Sequence, residues 1–190
     1  TNLVAGAGPE GNLQPVYGIG LEDALIERQE TALPGYRGMG PVRVGNQAHE
    51  HIQNDVYGSA VLAATQAFFD ARLLHPASDQ LYDLLEVVGE RAVRVWDTTD
   101  AGLWELRTRA SVHTFSAVMC WAACDRLARI ASQVQRPERA EHWRRHAEEM
   151  REEIESRATV GPLRERRSED EAPYFAATFD GTESDASLLL

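Results

Sequence analysis

The chain has 190 residues, 43% hydrophobic and 26% charged, the make-up of a soluble globular protein of one domain or part of a larger one. A formal net charge of −11 leaves no basic stripe to displace counterions from phosphate, which argues against a nucleic-acid partner, and no apolar run reaches the ~18 residues of a membrane span. A neutral or polar small substrate fits this composition better; with no secretory signal pattern, the expected compartment is the cytoplasm.

Taken in chain order, the first third is irregular. Short β-like runs at Leu13 to Tyr17 and Pro41 to Val44 are expected to pair, and Gly35, Gly38, Gly40 and Gly45 with Pro34 and Pro41 make residues 33–48 a compact irregular wall. From Ile52 to Leu74 two apolar faces coexist: Ile52, Val56, Ala60, Ala63 and Ala67 on one, Tyr57, Val61, Ala64 and Phe68 on the other. That pattern predicts a helix enclosed on most sides. From Asp79 to Trp96 a single stripe of Leu81, Leu84, Leu85, Val88, Ala92, Val95 and Trp96 predicts a helix with one wet side. His113 to Val134 is again apolar on more than one face, and it carries Cys120 and Cys124 four apart on one side, which read as small core residues rather than a bridge. From Glu138 to Arg157 the stripe narrows to Ala140, Trp143, Ala147, Met150 and Ile154 amid charges, the pattern of a peripheral helix. An apolar helical start follows Asp185. With no methionine at Thr1 and this start broken off at Leu190, residues 1–190 are expected to be a domain truncated at both ends.

Inner, outer, inner, outer is the alternation of two concentric rings of helices rather than of a simple bundle, so the expected class is all-α, part of a double-ring helical barrel. In such a barrel the outer-to-inner loops, Asp97 to Val112 and Ala158 to Ser184, leave at one rim, joined by residues 33–48. Long loops on a rigid scaffold are where sites lie. The first carries Asp100-Ala101-Gly102-Leu103-Trp104-Glu105-Leu106-Arg107. Trp104 offers a flat apolar face to the C–H side of a pyranose, and Glu105 offers a proton whose affinity rises with partial burial against that indole. The competing reading is a surface turn with a solvated glutamate, and an ion pair of Arg107 with Glu105 would oppose an acid role.

Other clusters carry less. His142 and His146 have helical ligand spacing, but Trp143, Arg144 and Arg145 between them bring cations and no acid, so no metal site is expected. His49 and His51 fall on different sides of a helix. Asp55 stands at the mouth of the first inner helix, where it either faces a ligand or serves the helix terminus. No cofactor is implied.

Read together, Leu33-Pro34-Gly35-Tyr36-Arg37-Gly38-Met39-Gly40-Pro41-Val42-Arg43-Val44-Gly45-Asn46-Gln47-Ala48, Gln53-Asn54-Asp55-Val56-Tyr57-Gly58, Gly102-Leu103-Trp104-Glu105, Met119-Cys120-Trp121 with Asp125-Arg126, and Asp185-Ala186-Ser187-Leu188-Leu189 resemble, in order and spacing, bacterial members of glycoside hydrolase family 15, the glucoamylase-like and trehalase-like enzymes. The resemblance implies a six-fold (α/α)6 barrel and hydrolysis of α-linked glucosides from the non-reducing end with inversion. It makes Glu105 the general acid and an oligosaccharide or disaccharide the ligand; the candidate substrate contacts are Leu103, Trp104, Arg107 and Asp55, with an ion pair to Glu105 the alternative for Arg107 and a helix-terminal role the alternative for Asp55. It also implies a second carboxylate beyond Leu190 and a glucose-gripping motif before Thr1, so the remainder of the catalytic domain is an expected partner and residues 1–190 alone are expected to be inactive. The chain differs from fungal relatives in having Leu106 and Arg107 after the acid, and from many bacterial ones in Ser59 and Ala117. The rival from another class is a non-catalytic helical toroid acting as an interaction scaffold.

Overall fold

The computed structural model describes residues 2–73, 77–105, 108–161 and 173–189. Two compact units make it up: Thr1–Leu13 with Gln53–Leu190, and Gln14–Ile52.

The first unit is helical. After the short α1 (Asn2–Gly6) come α2 (Asp55–Phe69), α3 (Asp79–Val95), α4 (Thr114–Gln133) and α5 (Pro137–Ala158). The starts follow local chemistry. Ser78 Oγ accepts from the Leu81 N–H at 3.2 Å to cap α3, and Pro137 occupies the opening turn of α5, where its missing N–H costs nothing. Helix α4 is the hub, packed on α2, α3 and α5, and its small residues Ala117, Cys120, Ala123, Cys124 and Ala131 are fully buried with Leu127 and Ile130. Both cysteines are free, as their helical spacing predicts. On α5 the buried residues are Ala140, Trp143, Ala147, Met150, Ile154 and Ala158, the expected stripe extended by one residue.

The outer pair α3 and α5 is joined by a polar node. Glu86 Oε1 accepts from Tyr82 Oη at 2.6 Å, Arg139 Nε at 2.7 Å and Trp143 Nε1 at 2.8 Å, so two aromatic side chains sink into the core without leaving a donor unpaired. His142 Nε2 sits 3.1 Å from Glu90 Oε1 and His146 Nδ1 lies 3.3 Å from Glu149 Oε2, which occupies both histidines locally. Among the described residues no three metal-ligating side chains converge, and no helix is long and apolar enough to cross a membrane.

Helix α2 is shorter than its apolar pattern predicts. It ends at Phe69, and Asp70 turns back on Arg72 with paired contacts of 2.8 and 2.6 Å. Tyr57, Val61, Ala64 and Phe68 join the core; on the other expected face Val56 and Ala60 pack against it, but Ile52 is 67% exposed and Ala63 is exposed. Both outer-to-inner loops meet at the start of α4. Asp100 and Ser111 pair backbones at 3.0 and 3.2 Å, closing the first loop on itself, while the Thr114 N–H reaches Ala177 O and the Phe179 N–H reaches Val112 O, each at 3.0 Å. The second loop carries a short antiparallel pair, β3 (Thr159–Val160) with β4 (Tyr174–Phe175), and ends in a 3-10 helix, Ala186–Leu189.

In the second unit, β1 (Arg28–Glu30) pairs antiparallel with β2 (Val42–Val44), Gln29 opposite Arg43. The expected partner of Val42–Val44 was Leu13 to Tyr17. Those residues are not a strand; the Gln14 N–H donates to Tyr17 Oη at 2.8 Å instead of to a neighbouring strand.

Candidate active site

The site grows from the tripeptide that starts α2. Asn54 holds the N-cap position, yet its side chain does not cap; Nδ2 donates to the carbonyls of Val95 and Thr98 at 3.1 and 3.3 Å and to Thr98 Oγ1 at 3.1 Å. Its own N–H donates to Asp100 Oδ2 at 2.7 Å, and its carbonyl accepts from Cys120 Sγ at 3.3 Å. One buried asparagine thus ties the end of α3, the start of α2 and the body of α4 together.

Asp100 is the second node. It is 2% exposed, and beyond the Asn54 N–H its Oδ2 accepts from Ser116 Oγ at 2.7 Å and its Oδ1 from the Gly102 N–H at 3.2 Å. Three donors offset the desolvation that burying a carboxylate costs. The Gly102 N–H begins the turn that carries the tryptophan and the glutamate. At Gly102 φ is +64°, and a Cβ there would lie 2.8–2.9 Å from the His113 ring, so the backbone lies flat against that imidazole as only glycine allows. The Glu105 N–H closes the turn on the Gly102 carbonyl at 3.1 Å, with Glu105 itself at φ 54°. A non-glycine residue in the left-handed region costs of order 1–2 kcal/mol and is concentrated at functional sites.

Trp104 is 53% exposed, and its Nε1 donates to Asp185 Oδ1 at 2.7 Å. Asp185 is held below the usual carboxylate range, first by the Ser187 N–H at 2.7 Å and then by that indole. The indole is therefore committed to Asp185, and Glu105 is exposed rather than half-buried against it, a correction to the expectation from sequence. Leu103 is half-buried in the same turn. Arg107 lies outside the described residues.

Asp55 behaves differently from Glu105. It is 7% exposed, its Oδ1 is buried without a hydrogen-bond partner, and burial pushes its carboxyl up to about 6, with the Asp100 charge and then the Glu105 charge adding to the effect against its own backbone N–H. Gln53 Nε2, His113 Nε2 and Thr114 Oγ1 are likewise buried and unpaired. These four orphaned groups stand at the N-terminal ends of α2 and α4, where Asp55 feels the Glu105 charge and the His113 ring lies against Gly102. Asn54, Asp100, Ser116 and Asp185 are the structural members that sequence reasoning did not single out.

A family model for glycosyl hydrolases family 15 matches residues 7–190. The chain belongs to this family. Curated relatives of this family-15 chain include a trehalase of Mycolicibacterium smegmatis, 32% identical over 98% of the chain and 26% of the relative, and a trehalase of Mycobacterium tuberculosis, 32% identical over 94% and 24%. A trehalase of Thermoplasma acidophilum is 35% identical over 61% of the chain and 19% of its own length. The family-15 chain thus spans about a quarter of the length of the first two relatives. No solved structure matches it significantly.

Proposed function

We propose that this chain is part of an (α/α)6 catalytic domain of a trehalase-like glycoside hydrolase and carries the acid half of its active site. The observation that supports this best is the Gly102–Glu105 turn, pinned to the ends of two packed helices and presenting a half-exposed indole beside an exposed carboxyl. A pyranose stacks its C–H face on Trp104, with Leu103 closing the apolar floor and Asp55 and Arg107 contacting hydroxyls. Glu105 gives its proton to the glycosidic oxygen as the C–O bond breaks. Water adds to the anomeric carbon from the opposite face and passes its proton to a second carboxylate, so a disaccharide and one water become two sugars with inversion. That second carboxylate stands roughly 6.5–9.5 Å from the acid in inverting hydrolases and is contributed by residues outside 1–190. The relatives' names favour trehalose as the first substrate to try.

The test is Glu105→Gln in the full-length protein, assayed on trehalose and maltose. Loss of general-acid assistance lowers kcat by about 100-fold or more with substrate binding retained. Wild-type turnover of whichever disaccharide the protein normally cleaves would remove Glu105 from the mechanism.

A further inference from the structure

We infer that Asp100 is a positioning residue for Glu105: its carboxylate pins the acid-bearing turn to the first turns of α2 and α4, so that weakening this clamp impairs protonation of the leaving group rather than sugar binding. The inference rests on Glu105 being the acid. It is carried by where the three donors to Asp100 come from. The Asn54 N–H belongs to the entry into α2, Ser116 Oγ to the opening of α4, and the Gly102 N–H to the turn itself, three hydrogen bonds of 2.7, 2.7 and 3.2 Å converging on one buried side chain. Among the described residues, two further contacts hold the turn. Past Gly102 it is held by its own Glu105 N–H to Gly102 carbonyl bond and, further out, by Trp104 on Asp185.

A core that needed only to be filled at this point would be served as well by an apolar side chain. A buried carboxylate aimed at the ends of two helices and at the catalytic turn fixes a geometry instead, and misplacing a reacting group by ~1 Å costs about 100-fold in rate. The charges around the clamp are consistent with a shared electrostatic site. Asp55 on α2 feels both Asp100 and Glu105; Cys120 on α4 feels Asp100 and Asp55; His113 at the head of α4 lies against Gly102; and Asp185 holds the indole of Trp104.

The experiment compares two substrates in the full-length protein: a disaccharide it cleaves, trehalose or maltose, and α-glucosyl fluoride, whose fluoride departs without being protonated. Asp100→Asn keeps the side-chain shape but removes the charge and one acceptor. The expected result is a ~10–100-fold loss of kcat on the disaccharide with KM changed less than ~3-fold, and a less than ~3-fold loss on the fluoride. Ser116→Ala, which removes one donor and leaves the carboxylate in place, should show the same pattern more weakly and decides the matter if Asp100→Asn fails to fold. Equal losses on both substrates, or no loss on either, would overturn the positioning role. Glu105→Gln run alongside separates the two ideas. If it keeps disaccharide turnover, the acid assignment has failed and the clamp has nothing to position; if it loses the disaccharide and spares the fluoride while the Asp100 and Ser116 variants do not discriminate, only the inference about Asp100 is wrong.

Discussion

Gly58 sits in the first turns of α2, where the local preference of the chain and the tertiary structure give opposite answers about replacing it. In an isolated helix, alanine is better than glycine by about 1 kcal/mol, so Gly58→Ala would stabilise. In the structure, a Cβ at this position would stand 2.1 Å from the Met119 carbonyl oxygen, 2.5 Å from its carbonyl carbon and 2.8 Å from its Cβ. Even a close carbon–oxygen contact needs about 3.3 Å, so α2 and α4 must separate by roughly 1 Å. The obstacle is backbone in the middle of the most connected helix, and overpacking of this kind costs about 1–3 kcal/mol or more. Separation would also stretch the hydrogen bonds that both helices send to Asp100. We expect a net destabilisation of at least ~2 kcal/mol after the propensity gain is subtracted. Urea titration followed by far-UV circular dichroism reads it as a lowered midpoint. Gly6→Ala, where nothing lies within 4 Å of the added methyl, is the control and should change stability by no more than ~0.5 kcal/mol. An unchanged or raised midpoint for Gly58→Ala would refute the close approach of the two helices.

Three further outcomes follow from the packing. Because burial raises the Asp55 carboxyl from 3.8 to about 6, the folded state holds a proton that the unfolded chain releases; stability is full below about pH 4 and falls by ~3 kcal/mol as pH rises through 6, and Asp55→Asn should flatten that slope in urea midpoints measured from pH 4 to 7. Glu86→Ala leaves the buried indole N–H of Trp143 and the Tyr82 hydroxyl without their acceptor and should cost ~3 kcal/mol or more, whereas Glu141→Ala on the exposed face of α5 should cost less than ~1 kcal/mol; equal thermal shifts would contradict the outer-pair node. Burial pushes the Cys124 thiol up to about 12 and Cys120 well above the ordinary range, so native protein at pH 8 should resist iodoacetamide at both, with alkylation seen by mass spectrometry only after unfolding.

The helices were legible because their signal is local. Asp79–Val95 and Pro137–Ala158 match their apolar stripes to within a residue, since a side chain facing the core recurs with the helix period whatever packs on it. Fully buried Tyr82 was missed because its hydroxyl looks like a surface group until Glu86 is known to meet it. Strand pairing was misread for the opposite reason. Val42–Val44 has no way to announce that its partner is Arg28–Glu30, because the register depends on a connection and not on either run. At the site, the tryptophan and glutamate stand out by type and order, but the residues that hold them do not. Asp100 takes two of its three donors from residues 46 positions earlier and 16 later, distances over which no periodicity speaks. The sequence also suggested an indole laid over Glu105, and it could not show that Asp185, 81 residues on, claims that indole first.

The placement of Trp104 gives the site an optical voice. Of the four tryptophans, Trp143 is fully buried, Trp96 and Trp121 are partly buried, and Trp104 alone is exposed. Its emission is the one of the four that water or a soluble quencher reaches first, and the hydrogen bond to Asp185 keeps the ring in one attitude while they do so. On the proposed stacking of a sugar on Trp104, occupancy would be followed by intrinsic fluorescence, without a label and without turnover, in variants whose chemistry has been switched off.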